Sequence, residues 1–247
     1  MIAIFGTNHD DVLFFESIMS NRTEQVVLKN YKVSLGTIFN QEIVLIDGCY
    51  TSILSASVSS YIFNHYHVDL AFVVGRCVSL TGKLKTGDIV VADRIINADV
   101  DQSEAKNVVL GQIPGFEKEF KTQSDLIGYV SDTFNRRVFI SAKVAVFYSS
   151  NDFNNFALNK IKENHLLTDN GEAIVDNCSG GVAVSGLLYD VPVLAIRVVE
   201  KELGKPWDVN KYIDVLDRYV ALGKAVVATI GDIGRNDVLY GGIRNDY

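Results

Sequence analysis

This chain predicts a three-layer α/β fold around a mixed central sheet, and three observations carry that prediction. Short apolar runs alternate with helical patterns, as they do when helices cover both faces of a sheet. The run from Leu70 to Val74 is unbroken and apolar, which suits a parallel strand buried on both sides. Three strand-like segments between Val26 and Asp47 follow one another closely, so an antiparallel patch is expected beside the parallel part.

In order, Met1 to Phe5 reads as a buried strand stopped by Gly6, and Val12 to Met19 as a short helix. Val26 to Val33, Ser34 to Phe39 and Glu42 to Asp47 read as strands. Thr51 to Asn64 is a helix whose small residues Ser52, Ser55, Ala56, Ser59 and Ser60 allow close packing. After the strand at Leu70, the turn Lys85-Thr86-Gly87-Asp88 introduces a strand from Ile89 to Ala92. Ser124 to Phe134 is a helix, Val138 to Tyr148 a strand, and Ser179 to Tyr189 a helix rich in Gly and Ala. Pro192 suits the start of a strand running to Val199. In the last helix, Val209 to Ile230, the residues Ile213, Leu216, Val220, Ala221, Lys224, Val227 and Ile230 recur at steps of three and four and predict its inner face.

A length of 247 residues, about half of them hydrophobic, fits one domain spanning 1–247 with a sizeable core. The net charge of −7 argues against a nucleic-acid surface and against an anionic membrane, since both need clustered cations. Cys49, Cys77 and Cys178 form no CxxC pair, so no metal is expected and free buried thiols in a reducing compartment are. The opening Met-Ile-Ala-Ile-Phe-Gly lacks a basic region and a cleavage site, and no apolar run is long enough to span a bilayer. The expectation is a cytoplasmic protein.

In folds of this class ligands bind at the carboxyl ends of the strands, so the loops there hold the candidates. Thr7-Asn8-His9-Asp10-Asp11 follows the first strand; its acids suit acid–base work or metal binding, and equally the capping of the next helix, which this segment alone favours. Gly75-Arg76-Cys77-Val78-Ser79 offers a turn with an anion-facing arginine, or an ordinary turn with a salt-bridged one. Phe153 and Asn154, after Tyr148, offer an aromatic among polar residues that stacks on a planar ligand or plugs the core. Glu200-Lys201-Glu202 follows Val199 and reads as a charged loop. Cys178 opens the glycine-rich helix, where the positive helix end lowers a thiol pKa, although a structural thiol fits better. His65 and His67 read as surface or core residues rather than ligands.

Three longer motifs sit among these pieces: Leu84-Lys85-Thr86-Gly87-Asp88-Ile89-Val90-Val91-Ala92-Asp93, then Asn97-Ala98-Asp99-Val100, then Gly111-Gln112-Ile113-Pro114-Gly115-Phe116. In this order and spacing the chain resembles the methylthioadenosine/S-adenosylhomocysteine nucleosidases of the purine nucleoside phosphorylase superfamily, over nearly its whole length. The resemblance implies the central sheet of that superfamily, a purine-nucleoside pocket, no cofactor, and a homodimer whose partner chain completes the site. It implies cleavage of an N-glycosidic bond: an acid protonates purine N7, one carboxylate activates water, and a second holds the ribose hydroxyls.

Carried over residue by residue, the resemblance places Asp11 at the water-activating glutamate, one methylene short. That loses roughly an ångström of reach, which can cost about 100-fold. Asn177 and Cys178 fall on the Met-Glu pair that holds the ribose, where a thiol cannot replace a bidentate carboxylate, and Asp176 matches the glutamate just before that pair. Lys201 falls on the proton-donating aspartate, with Glu200 one position before it and on the opposite face unless the strand is bulged. Arg76 and Val78 put side chains into a loop that is Gly-Ser-Ala-Gly-Gly in the family. Phe153 matches the purine-stacking aromatic and Arg197 the arginine of the last strand. The function expected is hydrolysis of adenine nucleosides; the alternative is an impaired relative that binds a nucleoside-like molecule or acts as a structural dimer. Phosphorolysis fits less well, since no phosphate-binding set beyond Arg76 is visible.

Overall fold

The apolar run that starts at Leu70 is the spine of the sheet. In the computed structural model, which describes residues 1–29, 31–151, 161, 171–206 and 208–233, this run is strand β5 (Leu70–Ser79), ten residues long. It lies parallel to β1 (Ile2–Gly6) on one edge and parallel to β10 (Val193–Glu202) on the other. Its last two residues pair antiparallel with β9 (Ala173–Asp176). Beyond β1 come β4 (Gln41–Ile46), β3 (Tyr31–Ile38) and β2 (Ser20–Val27), the last two added antiparallel. Beyond β10 come β6 (Ile89–Asn97) and β8 (Lys143–Ser149), and β8 leads back to β9. Strands β5, β10, β6, β8 and β9 therefore close on themselves, while β7 (Phe120–Lys121) extends β6. The mixed sheet expected from the sequence is present.

Helices cover both faces. Helices α2 (Ser52–His65) and α4 (Ser179–Leu188) pack on one face, where Val58, Ile62, Val182 and Ala183 meet Phe5, Val73 and Ala195. On the other face lie α1 (Leu13–Ile18), α3 (Ser124–Thr133) and α5 (Val209–Ile233), where Phe15, Leu126, Val130, Leu222 and Val226 meet Ile4, Phe72 and Ile196. The small-residue surfaces of α2 and α4 do meet. A Cβ on Gly181 would collide with the Ser52 carbonyl and the Ser55 hydroxyl, and Ser55 Oγ donates to the Cys178 carbonyl at 2.9 Å. This close approach brings the start of α4 against the sheet.

The differences from the sequence reading have physical reasons. The single strand expected across Val26 to Val33 is split between the end of β2 and the start of β3, which pair with each other, and Leu28 and Lys29 after β2 adopt positive φ. All but the last residue of β2 are exposed, so backbone pairing rather than apolar patterning makes it a strand. The strand expected from Val138 begins only at Lys143, because Val138 still belongs to a wide helical turn and Phe139 adopts φ +59°. On α5 the buried face runs through Val215, Leu222, Val226, Thr229 and Ile233, whereas Ile213, Leu216 and Val220 are exposed. Ala221 and Ile230 are buried as expected. Both stripes have helical spacing, and only the contact with the sheet selects between them. Replacing Leu222 by Ala is therefore expected to cost about 2–5 kcal/mol, and Ile213→Ala less than about 0.5 kcal/mol, as read by urea denaturation of each variant.

Candidate active site

β1 ends beside the middle of β5, where Gly6 pairs with Val74, and β5 continues alongside β10, where Gly75 pairs with Arg197. The segment after Val74, expected as a turn, is strand, and these three elements deliver charged residues to the same place. β1 stops at Gly6, and the chain turns through Thr7 and Asn8 into a single helical turn, His9–Asp11. Asp11 Oδ2 accepts from the Asn8 backbone N–H at 3.1 Å, so this carboxylate does cap the turn, as the sequence favoured. Its side chain is nevertheless buried, and Oδ1 has no hydrogen-bond partner. Asp10 is exposed.

Behind Asp11 lies Arg197 of β10, with none of its surface exposed. All five of its N–H donors are used. Nε donates to Asp176 Oδ2 at 2.9 Å, Nη1 to Thr7 Oγ1 at 3.0 Å and the Val74 carbonyl at 2.7 Å, and Nη2 to Cys178 Sγ at 2.7 Å and Ser179 Oγ at 3.1 Å. One guanidinium thus ties together the loop after β1, the middle of β5, β9 and the start of α4. Asp176 is completely buried and also accepts from the Ser179 backbone N–H and hydroxyl. Gly75 passes through the middle of this network at φ +147°. A Cβ there would run into Arg197 Nη1 and would lie 2.8 Å from Thr7 Oγ1 and 2.9 Å from Asp11 Oδ2. Gly75 is thus required both by its backbone angle and by the space.

Arg76, the next residue, is partly exposed and reaches over Asp11. Its Nε lies 3.9 Å from Asp11 Oδ1 and its Nη1 3.6 Å from Glu200 Oε1. Glu200 gets there because β10 is bulged: Val199 pairs with Cys77 and Lys201 with Val78, leaving Glu200 as the extra residue. The Lys-Thr-Gly-Asp turn fixes the place of the bulge. Gly87 N–H donates to the Val199 carbonyl at 2.8 Å, and Val199 N–H donates to the Asp88 carbonyl at 2.9 Å. The Asn-Ala-Asp-Val motif is structural too: Asp99 accepts from Ser150 Oγ and from both the backbone and the side chain of Asn151, which in turn holds Ser52 at the start of α2.

A cavity of about 320 Å³ opens onto this cluster, lined by Asp10, Asp11 and Arg76 and walled by Leu13, Phe14, Leu216 and Val220, with Tyr212 and Tyr219 of α5. That size suits a small organic ligand. Burial pushes the Asp11 carboxyl above the ordinary aspartate range; Arg197, the Asn8 amide and Arg76 oppose the shift. Burial also raises the Cys178 thiol, more than Arg197 lowers it, and no surface of Cys178 is exposed. A protonated, inaccessible thiol fits the structural reading of this cysteine.

Of the residues singled out from the sequence, Asp11 and Arg76 line the cavity, and Asp176, Cys178 and Arg197 form the buried network behind it. Val78 is buried among Ile96, Tyr148 and Val175, away from the cavity lining. Asn177 Nδ2 donates to the Tyr50 carbonyl at 2.6 Å. Lys201 is partly exposed in β10. Phe153 and Asn154 lie outside the described residues. Thr7, Tyr212, Ser179 and Tyr219 escaped the sequence reading; for the two tyrosines, a seven-residue separation on one helix was the available signal. Among the described residues no group of His, Cys, Asp and Glu is placed to hold a metal ion, and no helix is long and apolar enough to cross a membrane.

A family model described as the phosphorylase superfamily matches residues 2–230. The chain belongs to the phosphorylase superfamily. Among its relatives, the 5′-methylthioadenosine/S-adenosylhomocysteine nucleosidase of Staphylococcus haemolyticus is 25% identical over 153 residues, covering 62% of this chain and 66% of the relative, just under two thirds. That of Listeria monocytogenes is 20% identical over 200 residues, 80% of this chain and 84% of the relative. Solved nucleosidases share the fold. The Campylobacter jejuni structure has a TM-score of 0.82 at 17% identity, covering 94% of this chain and 98% of that one. The Neisseria meningitidis structure, in complex with methylthio-immucillin-A, has a TM-score of 0.81 at 16% identity, covering 94% and 98%.

Within this superfamily member the Arg197 network is the structural anchor. Arg197→Met leaves Asp176 buried and unpaired, and is expected to cost about 3–5 kcal/mol. Arg76→Met breaks only long, partly exposed ion pairs and is expected to cost less than about 1 kcal/mol. Chemical denaturation of both variants checks the contrast.

Proposed function

We propose that this phosphorylase-superfamily chain is an N-ribosyl hydrolase of adenine nucleosides, with methylthioadenosine and S-adenosylhomocysteine as candidate substrates and Asp11 as the base that activates water. One observation carries the reading: a buried carboxylate with one oxygen free of hydrogen bonds lies just past the end of β1, beside Gly75 of β5 and Arg197 of β10, and lines a ligand-sized cavity. The nucleosidase names borne by its relatives and structural neighbours support it.

The chemistry follows from charge. As the glycosidic bond breaks, positive charge grows on the sugar, and the carboxylates of Asp11 and Glu200 favour that charge in a largely dry site. Burial moves Asp11 toward neutrality, which makes it a better base than an exposed aspartate. Of the two neighbours at the bulge, Glu200 faces this cluster through Arg76, so it is a better candidate than Lys201 for handling the purine's proton. Water rather than phosphate is the proposed nucleophile. Arg197 has no donor left, and Arg76 already faces two carboxylates, so among the described residues no unpaired cation awaits a phosphate at this cluster. We further propose a single domain over 1–247 acting in the cytoplasm as a homodimer; exposed Tyr50, Ile53 and Leu54 beside the start of α2 are apolar surface that a partner would cover.

The test is adenine release from methylthioadenosine, S-adenosylhomocysteine and adenosine. Release is expected, and Asp11→Asn is expected to reduce it by at least about 100-fold. Because the base must be ionised, the rate falls as pH drops through the Asp11 pKa, and that acid limb should lie above the ordinary aspartate range. No release from any substrate, with a nucleoside still raising the melting temperature, would replace hydrolysis by binding alone.

A further inference from the structure

Two buried polar atoms beside the cavity lack hydrogen-bond partners, Asp11 Oδ1 and the Tyr219 hydroxyl, and they belong to residues that line it together. Tyr219 comes from α5 and Asp11 from the turn after β1. A buried phenol does not ordinarily leave its hydroxyl unused, nor a buried carboxylate its oxygen, because each such group costs about 1–3 kcal/mol. Two of them facing one cavity mark a place built for a polar atom with both donor and acceptor capacity. Water fits, and so does the hydroxyl of a ligand.

We propose that Tyr219 is a positioning residue for the Asp11 base, its hydroxyl and Asp11 Oδ1 together gripping one oxygen, which is the attacking water when a nucleoside is bound. This deepens the hydrolase reading and rests on it. It also answers the shortness of Asp11. An aspartate brings its carboxylate less far forward than a glutamate, and a second group from another element can hold the water in line where the carboxylate alone cannot. The phenol donates to the carboxylate or to the water and draws no proton from either in the ground state, because burial and the nearby Asp11 charge keep it protonated.

Asp11 is faced by Arg197 and Glu200 from β10, Arg76 from β5, and Tyr212 and Tyr219 from α5, with Asp176 and Cys178 behind Arg197. On its own turn, Asp10 is exposed and His9 is drawn to Asp47 at 3.1 Å. Among these, the Tyr219 hydroxyl lies near enough to Asp11 to favour the ionised carboxylate, so its loss should move the Asp11 titration upward.

The variant is Tyr219→Phe, which keeps the ring against α1 and removes only the oxygen. Three readouts are taken on the full chain: steady-state adenine release from methylthioadenosine across pH, the Asp11 carboxyl titration by NMR with ¹³C-labelled aspartate, and the melting temperature. The expected result is a fall in kcat of about tenfold with KM within about twofold, an acid limb and an Asp11 titration both displaced to higher pH, and no added loss when Tyr219→Phe is placed on Asp11→Asn. An Asp11 titration that stays in place, or an additive loss in the double variant, overturns the proposal and leaves Tyr219 as packing. If the unsubstituted protein releases no adenine, the hydrolase reading has failed. The titration then decides alone: an upward shift keeps the shared-oxygen site, and no shift removes it.

Discussion

One buried guanidinium sets the geometry on which the rest depends. Arg197 brings a positive charge into the centre of the molecule and spends all five donors on the loop after β1, the middle of β5, β9 and the start of α4. A buried charge is tolerated only when paired and hydrogen-bonded, so these elements must come to it. Asp176 supplies the charge balance, and Gly75 supplies the empty volume without which the guanidinium would not fit. Once Thr7 and Val74 are held, the turn carrying Asp11 has little freedom.

The outer layer of the site is looser. Arg76 bridges Asp11 and Glu200 at ion-pair rather than hydrogen-bond distances and keeps part of its surface in solvent. It follows that the inner network is the part that stabilises the fold. Cys178 belongs to the inner network, its sulfur held by Arg197, so it completes the anchor rather than contacting solvent.

The fold was legible because its signals are local: apolar runs for β1 and β5, small residues on α2 and α4, and a turn motif before β6. What escaped was set by tertiary contact. The buried face of α5 was one of two helical stripes, and only packing chose between them. Strand β2 is polar and exposed, and β9 has only four residues, so neither announces itself. At the site, Asp11, Arg76 and Arg197 were legible from strand ends and from family resemblance. The partnership of Asp11 with Tyr219 was not, because more than two hundred residues separate them. The bulge that turns Glu200 toward Arg76 was stated as a condition but is decided by the turn that grips Val199.

The account's central claim is that Asp11, Arg76 and Glu200, gathered where β1 ends beside β5 and β10, form a hydrolytic centre. The most direct test is a crystal structure with a non-hydrolysable adenine nucleoside analogue. The account predicts the sugar in the cavity below Arg76, with a water held by Asp11 about 3–3.5 Å from the anomeric carbon. A nucleoside bound elsewhere, or Arg76 still closing over Asp11 with no water able to reach the sugar, would contradict it.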